Sequence, residues 1–301
     1  MTPPSTGHSL PRQGLLLLVA LTFFWGVNWP AMKISLAEMT PWTYRSITGV
    51  TGACGLVLLT LAMRQRLWVP RREWPKLAAM ALVNFTGFQV CVAFAIGMMA
   101  SGSAAVLTFT MPLWATLVGW AVTKERPSAS RFAGLGLGMA GIAVLVSGNF
   151  DVLGHSPAGP ALIILGAMMW GAGTVMLKQV RWSIPVLTLT TWMVIVGTIP
   201  IVIMTGLIDG YHVPDASTKA WLALAFTVIG PFIFCYYAWI KIVNIFPPGV
   251  AAISTLMVPV VGLTSGALVL GEDPGWRGYV ALLLITGALV LVLLVPARKR
   301  A

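Results

Sequence analysis

Trp25, Gly26, Asn28 and Pro30 crowd into six residues in the middle of a long apolar run, and each brings a different chemistry. Proline lacks an N–H, so Pro30 leaves the Gly26 carbonyl without its helical partner. Gly26 weakens the helix further. A freed carbonyl or an indole face attracts an ammonium group, and the Asn28 amide offers N–H donors to a carboxylate. The same arithmetic frees the carbonyl of Thr108 through Pro112, of Thr227 through Pro231 and of Thr255 through Pro259. Such a set suits the non-covalent capture of a small amphiphile. Bond-making chemistry has no counterpart, because the sequence contains no HExxH, GxSxG or P-loop pattern, and His8, His155 and His212 lie outside the apolar runs. The chain reads as a non-enzyme that needs no metal and no cofactor.

The elements that position these residues follow from composition. Of 301 residues, 58% are hydrophobic and 9% charged, against roughly 25% charged in a soluble domain. The charges gather between apolar blocks, the pattern of a multi-pass membrane protein in a lipid bilayer. The net charge of +11 is spread over short loops and makes no basic face, so nucleic acid is not expected as a partner. Cys54, Cys91 and Cys235 all fall in apolar blocks, with no CxxC spacing. A ruler of about 20 apolar residues per crossing gives ten spans: 14–36, 41–63, 76–99, 103–123, 130–148, 160–180, 184–206, 218–242, 248–270 and 276–296. The first has no small-x-small cleavage site and reads as a retained span, not a signal peptide.

Loop charges orient the spans. With both termini in the cytoplasm, that side carries fifteen of the nineteen Lys and Arg, and the other side carries six of the eight acidic residues. This is the positive-inside bias of a multi-pass membrane protein, and an odd number of spans would destroy it.

The chain also repeats itself. SGSAAVLTFTMPLWATLVGWAVTKERP (101–127) matches PGVAAISTLMVPVVGLTSGALVLGEDP (248–274) at an offset of 147, pairing Thr108 with Thr255, Pro112 with Pro259 and Glu125 with Glu272. FFWGVNWPAMK (23–33) matches MMWGAGTVMLK (168–178) at an offset of 145, pairing Trp25 with Trp170 and Lys33 with Lys178. A cytoplasmic tail, 1–13, therefore precedes two related halves, 14–150 and 158–298. Each has five spans, so the second half enters the membrane upside down. Inverted halves typify secondary transporters, with the solute held near the midplane where they meet. The expected fold is all-α: ten transmembrane helices in two inverted five-helix repeats around a central cavity.

The Trp-Gly pairs in spans 1 and 6, the Ala-Ala…Pro runs, and the Glu-x-Pro after spans 4 and 9 resemble the EamA family of the drug/metabolite transporter superfamily, over nearly the whole chain. Within it the sequence is most similar to aromatic amino-acid exporters of the YddG type. That resemblance implies a ten-helix carrier that moves amino acids or similar small metabolites; export of organic cations or drugs is the alternative.

Several residues become candidates for the cavity. Trp25, Trp114 and Trp170 sit near mid-span, away from the interfacial belt where Trp normally gathers. Phe88, Tyr236 and Trp239 fall inside spans 3 and 8. Asn28, Asn84, Gln89 and Thr108 would supply polar tips. Asn84, Phe88, Cys91 and Ala95 share one face if span 3 is a regular helix. Gly26, Pro30, Pro112, Pro231 and Pro259 are candidate hinges. Lys33 and Lys178, near the ends of spans 1 and 6, either snorkel to the interface or act as gates; Arg45 reads as snorkelling. Glu125 and Glu272 are expected to cap or pair within loops. No Asp or Glu lies deep in a span, which favours facilitated transport or exchange over proton coupling. Gly136, Gly138 and Gly141 match GxGxxG inside an apolar span without a strand before them, and read instead as a surface for close helix packing. A membrane-embedded transferase would need an acidic or nucleophilic cluster that is absent from the sequence. A channel is distinguished by its linear uptake. A monomer or weak dimer is expected.

Overall fold

The computed structural model describes residues 12–124, 126–147, 157–246 and 248–293. Expectations placed on Glu125, on the amino-terminal tail and on the basic residues Arg298, Lys299 and Arg300 lie outside the described residues.

Ten helical spans follow one another: α1 (Arg12–Leu36), α2 (Pro41–Ala62), α3 (Arg71–Met98), α4 (Ser101–Thr123), α5 (Ala129–Val146), α6 (Ala158–Gln179), α7 (Val186–Ile208), α8 (Thr218–Thr227 continuing through Ile245), α9 (Pro248–Leu270) and α10 (Gly275–Leu293). Nine of them, all but α9, are long and apolar enough over their described residues to cross a membrane. Among the described residues there are no strands. At some helix starts the sequence supplies a side-chain cap. Thr40 precedes Pro41 and accepts the Thr43 N–H at 3.2 Å; Ser217 accepts the Ala220 N–H at 3.2 Å.

Two spans contain a π-helical segment, Ala81–Gly87 in α3 and Val228–Phe234 in α8. Their positions differ by 147, the offset of the sequence repeat. Pro231 explains the second, since it removes an N–H from the ladder. The first has no proline. A π turn widens the ring to i→i+5, so the i, i+4 spacing expected through Asn84 and Phe88 does not hold there. Asn84 faces α6 and donates to the Trp170 carbonyl at 3.0 Å. α4 is interrupted at Phe109 and Thr110, next to Pro112. α1 and α9, by contrast, run unbroken through Pro30 and Pro259.

Helix packing repeats the same symmetry. α1 lies on α9 as α6 lies on α4, α1 lies on α8 as α6 lies on α3, and α2 pairs with α7 and α5 with α10. α2 and α7 run antiparallel. Thr205, near the end of α7, donates to the Trp42 carbonyl at the start of α2, while Thr60, near the end of α2, meets Thr191 at 2.8 Å. Repeat-related helices that pack antiparallel make the halves inverted. Phe85 and Phe232, separated by 147 positions, touch each other edge-to-face with ring centroids 6.2 Å apart. A residue that contacts its own repeat-mate sits on the pseudo-twofold axis.

Small residues bring the helices close. A Cβ on Gly26 would fall 2.4 Å from Val261 of α9, and the Gly26 carbonyl released by Pro30 accepts from the Ser265 hydroxyl at 3.5 Å. That freed carbonyl therefore turns to protein, which satisfies it. The GxGxxG stretch is likewise a packing surface, because a Cβ on Gly141 would meet Ile285 of α10 at 2.8 Å.

Candidate functional site

Both halves contribute to one cavity of about 1070 Å³. From α1 come Trp25, Asn28, Trp29 and Met32, from α2 Arg45, from α3 Phe85, Phe88, Gln89 and Val92, from α6 Trp170, Thr174 and Lys178, and from α8 Thr227, Pro231, Phe232, Tyr236 and Trp239. The second half of α4 presents a stripe of Pro112, Ala115, Thr116, Gly119 and Thr123, one helical face of mostly small residues. The two Trp-Gly tryptophans stand on opposite walls. Trp25 packs on Trp239 (centroids 6.1 Å) and Trp170 on Phe88 (4.8 Å), so each meets an aromatic of the other half's π-containing span.

The two ends differ. At one end Thr123, Arg126, Arg131, Lys178 and Gln179 are exposed and still line the cavity, which opens there. At the other end three carboxylates cap helix starts. Glu272 accepts the Ser101 N–H at 2.7 Å, the Ser101 hydroxyl at 2.8 Å and the Gly102 N–H at 3.0 Å, all at the start of α4. Asp209 accepts the Thr43 N–H at 3.1 Å and the Thr40 and Thr43 hydroxyls at α2. Glu38 accepts the Ser217 N–H and hydroxyl ahead of α8. Anions at helix N-termini are favoured by the backbone dipole. Lys33 completes the seal, donating to Glu272 at 3.1 Å and to the Met99 carbonyl at 2.8 Å. Burial alone would raise the Glu272 carboxyl, but the Gly102 and Ser101 N–H groups, the Ser101 hydroxyl and the Lys33 charge outweigh it and hold it below its ordinary value.

The structure brings Trp25, Asn28, Phe88, Gln89, Thr108, Trp170, Tyr236, Trp239, Pro112, Pro231 and Lys178 onto the cavity wall. It places Asn84, Trp114, Gly26, Pro30 and Pro259 elsewhere in the packing, and Lys33 in the seal. The Trp114 indole donates to Thr110 at 3.1 Å, fixing the break in α4. The Thr108 hydroxyl is spent on its own helix, donating to the Ala104 carbonyl at 2.8 Å. Asn28 Oδ1 is buried with no hydrogen-bond partner.

Arg45 is a correction. It does not snorkel: it is 4% exposed, on the cavity wall one turn into α2. Its Nε donates to the Gln89 carbonyl at 2.9 Å, and Nη2 lies 3.0 Å from the Met32 thioether. Met32, Trp29 and the π-segment rings Phe85 and Phe232 were also missed, because apolar side chains carry no mark of facing a hollow.

The fold and its two-sided cavity define a polytopic membrane transporter. The chain belongs to the EamA-like transporter family, whose model matches it twice, at 12–147 and 157–294. Among its relatives are Uncharacterized transporter YvbV of Bacillus subtilis (strain 168), 27% identical over 94% of this chain and 92% of that protein, and a Probable amino-acid metabolite efflux pump of Salmonella typhimurium, 25% identical over 96% and 98%. A solved crystal structure shares the fold with a TM-score of 0.67 at 21% identity, covering 97% of this chain and 98% of that one.

Proposed function

We propose that this transporter exports amino acids, aromatic and other neutral ones, and related small metabolites across the bacterial inner membrane by alternating access. The observation that carries the proposal is the cavity itself, walled by aromatic pairs from both halves, open at one end and sealed at the other. Its volume of about 1070 Å³ matches the upper range of small-molecule sites. The name of the Salmonella relative agrees with it.

On this reading both termini are cytoplasmic, the open mouth faces the cytoplasm, and the described conformation is the loading state. Lys33 and Glu272 form the outer gate; Lys178, the repeat-mate of Lys33, stands at the inner mouth as its counterpart. Rocking one half against the other bends the helices at Gly26, Pro30, Pro112, Pro231 and Pro259, and moves the seal from one end to the other. The carrier works as a monomer or weak dimer, because each chain holds a whole cavity.

Counterflow in proteoliposomes tests it. Labelled phenylalanine should accumulate against excess internal phenylalanine and saturate, with tryptophan and threonine competing better than an organic cation. Uptake that rises linearly with concentration would replace the carrier with a channel.

A further inference from the structure

Arg45 raises a question the packing does not answer. A guanidinium buried within a membrane span is costly and is retained where it pairs or serves a pathway. It has five N–H donors in a planar fork matched to a carboxylate. Its partners here are a carbonyl, a thioether and, with the guanidinium carbon 5.3 Å from the ring centre, the Tyr44 face. None carries a negative charge. Lys33 with Glu272 is the one ion pair among the described residues, and no described Asp or Glu lines the cavity. The charged groups that do line it are Arg45 at the blind end and Arg126, Arg131 and Lys178 at the mouth. A cleft lined by one sign of charge concentrates the opposite sign.

We propose that Arg45 is the residue that receives the carboxylate of the transported solute. The proposal rests on the reading of this protein as an amino-acid carrier and narrows it: the carboxylate is the recognised group, and the ammonium is dispensable. An acid without the amine is therefore carried or bound, and an amine without the acid is rejected. The fork of Arg45 takes both carboxylate oxygens, while the paired aromatics at Trp25 and Trp170 hold an apolar body below it. A purely structural Arg45, stapling α2 to α3, would show no preference of this kind.

Competition against labelled phenylalanine in proteoliposomes, using 3-phenylpropionate and phenethylamine, separates the two. The expected result is that 3-phenylpropionate inhibits within about tenfold of phenylalanine, and phenethylamine at least about a hundredfold more weakly, steps of about 1.4 kcal/mol per decade. Arg45→Gln should erase the preference for acid over amine, and Arg45→Lys should keep its sign while weakening it. Equal inhibition by both compounds in the unmodified protein overturns the proposal, as does a preference that survives in Arg45→Gln. The unmodified protein decides the first point even if Arg45→Gln does not fold. If phenylalanine is not carried at all, the amino-acid reading fails, and Arg45 is judged by thermal shift with the same two compounds. Stabilisation by 3-phenylpropionate alone supports it. Equal shifts, or none with 3-phenylpropionate, overturn it.

Discussion

Removing the Glu272 carboxylate strands two backbone N–H groups and a hydroxyl at the start of α4 and leaves the Lys33 ammonium without its ionic partner. Hydrogen bonds to charged groups contribute about 1.5–3 kcal/mol each when one partner is lost, so Glu272→Ala should lower the unfolding temperature in detergent. The sign with pH follows from the depressed carboxyl: its contribution is complete above the ordinary value of 4.5 and fades as pH falls through the lower folded value. The gap between the two proteins should therefore hold at neutral pH and shrink in acid below 4.5. In the cavity, Trp25→Ala and Trp170→Ala should each lower the transport specificity constant about tenfold, or ~1.4 kcal/mol. Transport of every solute unchanged in both would dissolve the cavity assignment. At this scale the mid-span position singled out Trp25 and Trp170, which line the cavity, and equally Trp114, whose indole instead holds the break in α4. The sequence was not legible for the Lys33–Glu272 pair, whose partners are 239 positions apart, nor for Arg45. Arginine close to a helix start looks the same in the sequence whether it reaches out to headgroups or in to Gln89.

Helices α5 and α10 pack face to face at glycine, and their separation is set by what a Cβ would strike. Gly141→Leu would drive its side chain into Ile285; overpacking of this kind costs about 1–3 kcal/mol. Thermal unfolding should fall accordingly, while Gly136→Ala, where a Cβ meets nothing within 4 Å, should not lower it and should raise it slightly, since alanine favours the helix. The π segment of α8 makes a different prediction. Pro231→Ala returns an N–H to the helix and removes one cause of the widened turn. Counterflow should slow several-fold with the unfolding temperature preserved, because the change acts on movement between states. Span positions were readable from hydropathy; which helices pair was not, because contacts between distant spans leave no mark in either one alone. The π turn in α3 was not readable. Ala81–Gly87 contains no proline and no charge, and the only clue was its alignment, at 147, with a stretch that does contain one.

At the scale of the molecule, the bonds that close the sealed end come from carboxylates in three separate loops, so closure is distributed and no single one of them should open it. Cysteine reporters placed on the two tails should react with an impermeant reagent from the same face of the membrane. Labelling from opposite faces would reject the ten-span topology. The matched halves have a further result. Exchange one for the other and the course of the helices across the membrane is the same course run backwards, so the helical frame contains no arrow; the ends are told apart by side chains such as Arg45, whose repeat-related span α7 lines no part of the cavity. Which face of the bilayer each end meets is set by the arginines and lysines along the connecting turns, read once, during insertion. Redistribute those few cations and the same chain would seat itself the other way up, its open mouth turned to the opposite face of the membrane.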